Sequence, residues 1–234
     1  MALDVADTRQ ALALAERLPA AEWVKVGLQL FAAAGPSIVR ELRERDRRVF
    51  LDLKLHDIPN TVAGAVEAAA ALEVDLLTLH ASGGAAMLQA ARAAAEVRGG
   101  RLQLLAVTLL TSLSEGEVAG LWGRSYVSIA EEVVRLAELA AAAGMHGVVA
   151  SVGEARQVRS RCGPDLWVLT PGIRLPGDAP GDQARVATPA EAARAGADYL
   201  VIGRSVTAAA DPMAAFDRVL ASISGSDPHE GSSS

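Results

Sequence analysis

Leu76-Leu77-Thr78-Leu79 lies within an apolar run over 74–80 that is hydrophobic on both alternating sets of side chains. Successive strand residues face opposite sides, so a run of this kind is buried on both faces, as in a parallel sheet covered by helices. Similar β-branched, apolar runs occupy 2–5, 22–27, 48–54, 102–108, 146–151, 166–170 and 198–203. Between and after them, Ala/Leu/Glu/Arg stretches of helical length fall near 7–18, 34–45, 59–72, 84–97, 127–143, 153–161, 188–195 and 212–223. Eight strand–helix units in 234 residues leave no room for a second domain. The reading is therefore α/β, a single-domain (β/α)8 TIM barrel over 1–223, in preference to an open doubly wound sheet. Gly144, Gly163 and Gly196 follow helical runs, where C-caps are expected. Asp75 and Asp198 stand at strand starts. The Ser/Gly-rich segment 224–234 reads as a disordered tail, and its His229 receives no role.

Composition excludes several classes. Hydrophobic residues make up 51% and aromatics 3%, so the core is packed with small aliphatic side chains. A formal net charge of -6 argues against a nucleic-acid binder, although a few convergent Lys and Arg residues can still hold a small anion. No apolar run approaches the roughly 20 residues of a membrane span. No secretory pattern precedes the first strand, and Cys162 is a lone cysteine, so the expected location is the cytoplasm. Two long loops, 111–126 and 171–187, follow the fifth and seventh expected strands, on the side where barrel enzymes build their sites.

Charges gather at the downstream strand ends. Asp4 closes the first expected strand, Lys25 lies late in the second, and Asp52 and Lys54 end the third. Strand alternation turns Asp52 and Lys54 to the barrel mouth and Leu51, Leu53 and Leu55 to the helices. His80 and Thr108 end the fourth and fifth strands. His80 reads more as a packed strand-end residue than a catalytic one, and His56 points with the leucines. Pro59 suits the first turn of the next helix. A lysine between Asp52 and Asp57 favours the ammonium form, which suits proton donation better than Schiff-base chemistry. A purely structural ion-pair network remains the bland alternative. At the eighth strand, Gly203-Arg204-Ser205 opens a short helix, and with Arg174 and Gln183 of the long loop it forms a candidate phosphate site.

These residues also carry a resemblance. Asp52-Leu-Lys-Leu-His-Asp-Ile-Pro-Asn-Thr61 is similar to the D-x-K-x-x-D-I-P-N-T signature of the orotidine 5'-phosphate decarboxylase family. Leu3-Asp4, Lys25-Val-Gly27, Val107-Thr-Leu-Leu-Thr-Ser112, Thr170-Pro-Gly-Ile-Arg174 and Val201-Ile-Gly-Arg-Ser205 support it, and it covers the chain apart from the tail. The resemblance implies cofactor-independent, metal-free decarboxylation of orotidine 5'-phosphate to UMP. Lys54 would donate the proton, with Asp52 near the departing carboxylate and Lys25 completing the array. Asp4 and Lys25 would bind the ribose, and Thr111, with Ser112 beside it, the pyrimidine. Arg174, Gln183, Gly203 and Arg204 would hold the phosphate, with the 171–187 loop closing over it. Asp57 and Thr61 would enter a neighbouring subunit's site, implying a homodimer. Three alternatives stay open: a Mg2+-assisted sugar-phosphate decarboxylase of the same barrel type, a non-catalytic nucleotide-binding barrel, and a Schiff-base aldolase.

Overall fold

A computed structural model describes residues 1–97, 99–178 and 186–224. In chain order the elements are α1 (Thr8–Arg17), β1 (Trp23–Gly27), α2 (Leu28–Ala34), α3 (Ser37–Arg43), β2 (Arg48–Leu55), α4 (Pro59–Ala71), β3 (Leu76–His80), α5 (Gly84–Val97) and β4 (Gln103–Val107). They continue as α6 (Glu115–Leu121), α7 (Ile129–Ala142), β5 (Gly147–Val149), α8 (Val152–Cys162), β6 (Trp167–Ile173), α9 (Pro189–Arg194), β7 (Tyr199–Ile202), α10 (Arg204–Thr207) and α11 (Pro212–Ser224). This alternation is that of the (β/α)-barrel class. Among the described residues there are seven strands where the sequence suggests eight, because the run 2–5 forms only a single parallel bridge, Ala2 to Lys25. The Leu3 N–H donates to the Lys25 carbonyl and the Lys25 N–H to the Met1 carbonyl. By Asp7 the chain is already capping α1, which leaves no length for further pairs.

The chain divides into two compact units, Met1–Val107 with Leu139–Val148, and Thr108–Glu138 with the residues from Val149 onward. In the first unit β1, β2, β3 and β4 pair in parallel, each with the next. Leu51, Leu76, Leu77, Leu79 and Leu104 are buried from these strands, and Ile38, Leu42, Val62, Val66, Met87 and Leu88 from helices. Each such side chain contributes about 1.5–3 kcal/mol relative to exposure. In the second unit β6 pairs in parallel with β7, and Trp167 meets Tyr199 edge-on at 5.6 Å between ring centres.

Local signals explain the helix boundaries. Asp7 accepts from the Gln10 N–H at 2.8 Å and starts α1, and Pro59 occupies the first turn of α4. The expected helix 34–45 shortens to α3, because Gly35 turns left-handed (φ 63°) ahead of Pro36, and α2, which the pattern did not mark, ends just before that turn. Gly163 ends α8 in the same region, at φ 81°. The stretch expected as a polar loop, 111–126, contains α6, begun by a capping box in which Ser114 and Glu117 bond each other's backbone N–H. No helix among the described residues is long and apolar enough to cross a membrane.

Candidate active site

At the downstream end of β1 and β2 the charges form an alternating row. Lys25 Nζ lies 2.8 Å from Asp4 Oδ1 and 3.5 Å from Asp52 Oδ2, and Lys54 Nζ lies 2.7 Å from Asp52 Oδ1. Register delivers this arrangement. Lys25 pairs with Phe50 and Gly27 with Asp52, so β1 ends beside Asp52 while β2 runs on to Leu55. Gly27 also leaves space, since a Cβ there would come within 3.0 Å of Lys25 Nζ and 3.1 Å of Asp4 Oδ1. Lys25 is almost wholly buried, Lys54 is 29% exposed, and Asp4 is 59% exposed, so the row runs from solvent at Asp4 through a buried middle.

Burial by itself pushes the Asp52 carboxyl upward. The Lys25 and Lys54 charges, with hydrogen bonds from Lys54 and Thr78, outweigh it and hold the group below the usual carboxylate value. Asp52 is thus an anion at neutral pH despite being sheltered. His80 is displaced downward, first by burial and then by His56 and Lys54, with Asp52 opposing. Its ring lies 5.4 Å from that of His56, tilted by 42°. His56 is itself exposed.

Strand alternation is interrupted where it matters most. Leu51 pairs with Leu77 and Leu55 with Leu79, so residues 52–54 of β2 stand opposite Thr78 alone. Lys54 adopts φ 50°, a left-handed conformation rare for a side chain other than Gly, Asn or Asp. Asp52 and Lys54 still meet, but Leu53 and Leu55 are only half-buried, unlike Leu51. Thr78, which the sequence reading passes over as strand filler, binds this bulge: its hydroxyl donates to Asp52 Oδ1 at 2.9 Å and accepts from the Lys54 N–H at 2.9 Å. A polar residue inside a leucine run was the available signal.

Asp57 corrects one expectation within the single chain. The carboxylate is exposed and accepts from the Ile58 N–H at 2.6 Å; the Lys54 ion pair is with Asp52. The turn into α4 points Asp57 outward, and Thr61 is exposed on the first turn of that helix.

In the second unit, Thr108 is buried and donates to the Val149 carbonyl at 2.8 Å, a structural use of a strand-end hydroxyl. Thr111 is buried and Ser112 exposed. Arg174 follows β6, where its guanidinium donates to the Ile173 carbonyl at 3.0 Å. Ile173 and Ala187 form a bridge that joins the described ends of the long loop. Gly203 caps α10, and Arg204 is exposed at its start. Ser205 Oγ and Thr170 Oγ1 are buried polar atoms with no partner among the described residues. Gln183, with the rest of 179–185, lies outside the described residues, as does the tail from 225. No three His, Cys, Asp or Glu side chains converge in a metal-binding group among the described residues.

Comparison with known proteins gives a consistent result. The model of the Orotidine 5'-phosphate decarboxylase / HUMPS family matches residues 1–219. An orotidine 5'-phosphate decarboxylase of Moorella thermoacetica is 51% identical over 229 residues, 95% of this chain and 90% of that protein. One from Alkalilimnicola ehrlichii is 50% identical, over 97% of this chain and 96% of its own. The crystal structure of orotidine 5'-phosphate decarboxylase from Lactobacillus acidophilus has a TM-score of 0.84 and 35% identity, covering 95% of this chain and 96% of that one.

Proposed function

Since the chain belongs to the orotidine 5'-phosphate decarboxylase / HUMPS family, we propose that it converts orotidine 5'-phosphate to UMP and CO2 in pyrimidine biosynthesis. One observation carries the chemistry: the row Asp4, Lys25, Asp52, Lys54, with the Lys54 ammonium fixed 2.7 Å from a carboxylate. Breaking the bond from C6 to the carboxylate leaves its electron pair on C6, in an orbital in the plane of the ring. The π system does not overlap that orbital, so the charge has to be met from outside. An ammonium already in place meets it without reorganising at the moment of reaction. Lys54 then gives a proton to C6, which forms the new C–H bond, and leaves as a neutral amine to be reprotonated from solvent.

Asp52 stands beside the departing carboxylate and anchors both lysines. Asp4 and Lys25 bind the ribose hydroxyls, and Thr111 the pyrimidine. Arg174, Gln183, Gly203 and Arg204 bind the phosphate, whose remote contacts are used to hold the ring in place. The exposure of Asp57 and Thr61 supports a homodimer in which each chain lends these residues to its partner. The mechanism needs no cofactor or metal, and the cytoplasm is its setting.

The test is to add orotidine 5'-phosphate with and without EDTA and follow the loss of absorbance, comparing wild type with Lys54→Ala. Turnover by wild type alone is the expected result. Activity that EDTA abolishes would support the Mg2+-assisted sugar-phosphate reading instead. No turnover at all would leave a nucleotide-binding barrel, and borohydride trapping at Lys54 would indicate Schiff-base chemistry.

A further inference from the structure

We propose that Thr78 is a positioning residue that holds Lys54 ready for proton transfer; this rests on Lys54 being the proton donor. Thr78 is 0% exposed in the middle of β3, between Leu77 and Leu79. Packing alone would be satisfied there by valine, which has the same shape and suits a buried strand. A hydroxyl in that position costs desolvation unless it is fully used. Here it is used twice. The Lys54 N–H can only donate, so the Thr78 oxygen accepts from it, and the single hydroxyl proton goes to Asp52 Oδ1.

Both ends of the lysine are thereby tied to one atom. Thr78 fixes the backbone of Lys54 directly and its ammonium through the Asp52 oxygen that Lys54 Nζ also contacts, at 2.7 Å. The backbone contact matters because the bulge leaves residues 52–54 opposite Thr78 alone, and the side-chain oxygen receives an N–H within that irregular stretch. It also matters because φ 50° at Lys54 is an unfavourable conformation that persists only where surrounding contacts enforce it. Without the hydroxyl, the bulge can relax and move the ammonium. Thr78 is too deeply buried to serve as a substrate contact through bulk solvent, and its two bonds are already committed. Its effect is therefore on the orientation of Lys54.

The experiment compares Thr78→Val, Thr78→Ala and Thr78→Ser with wild type and Lys54→Ala, measuring kcat and KM for orotidine 5'-phosphate separately. Thr78→Val and Thr78→Ala should lower kcat roughly 10- to 100-fold, the scale of loss from displacing a catalytic group by about an ångström, with KM changed by less than about threefold. Thr78→Ser restores the hydroxyl and should recover most of kcat. If Thr78→Val does not fold, the Ser and Ala variants decide, since both lack the methyl and differ only in the hydroxyl. Full kcat in Thr78→Val or Thr78→Ala overturns the proposal, as does a Thr78→Ser variant no better than Thr78→Ala, which would mean a packing role. Lys54→Ala separates the two readings. If it is inactive while Thr78→Val is normal, only the role of Thr78 fails. If Lys54→Ala retains turnover, the Lys54 assignment itself fails.

Discussion

The β2–β3 pair in the first unit and the β6–β7 pair in the second begin in the same way and end differently. At each start, an aspartate entering the second strand closes a ring with a valine of the first. The Asp75 N–H donates to the Val49 carbonyl at 2.9 Å and the Val49 N–H to Asp75 Oδ2 at 2.7 Å. Asp198 and Val168 repeat both bonds at 2.9 and 2.7 Å. An arginine from the helix before the first strand completes each, Arg43 of α3 on Asp75 and Arg159 of α8 on Asp198. Both pairs then slip register, between Leu51 and Leu55 and between Thr170 and Ile173. Within each slip one residue has positive φ, Lys54 at 50° and Gly172 at 77°. The bulge is therefore a feature of the fold in both units. What sets the first apart is that a lysine occupies a backbone position that glycine fills at lower cost in the second. A lysine tolerated there points to its ammonium as the reason.

Six substitutions test that contrast, in decreasing order of effect. Lys54→Ala should lower kcat/KM by about 10^4-fold or more, because proton donation and charge stabilisation are lost together; steady-state kinetics check it. Arg204→Ala, near the end of β7, should lower kcat/KM roughly 100-fold through a lost charge-assisted phosphate contact while leaving thermal unfolding unchanged. Unaltered kcat/KM would remove Arg204 from the phosphate site. At the matching strand starts, Asp75→Ala and Asp198→Ala should each cost about 1–3 kcal/mol in urea unfolding, since each leaves a strand N–H without its acceptor, and should leave KM unchanged. A marked difference between the two would mean that their shared geometry hides different surroundings. Smallest is the backbone effect: Gly172→Ala should destabilise by about 1 kcal/mol, and Lys54→Gly should be more stable than Lys54→Ala by a similar amount. If the order at position 54 is reversed, the left-handed backbone at Lys54 carries no strain.

The chain of elements was legible because it depends on local pattern. Apolar runs marked all seven strands among the described residues, Pro59 marked the start of α4, and the charged residues at strand ends marked the row that the structure assembles. The helix at 115–121 was equally legible from Ser114 and Glu117, three residues apart, but is easily lost in a polar stretch. The break at Gly35-Pro36 was visible in the residue types, though the helical pattern ran across it. Periodicity reports which side chains are buried, and it reports this only while the strand stays regular.

Residue type and spacing along the chain were enough for the class of fold, the signature Asp52 to Thr61 and the identity of the charged groups. Tertiary structure alone decided that β2 bulges against β3, that Lys54 turns left-handed, that Thr78 clamps it, and that Asp57 faces outward while Lys25 bridges Asp4 and Asp52. Those outcomes depend on strand register and on contacts between residues more than twenty positions apart, such as Lys54 with Thr78. No local pattern encodes such contacts.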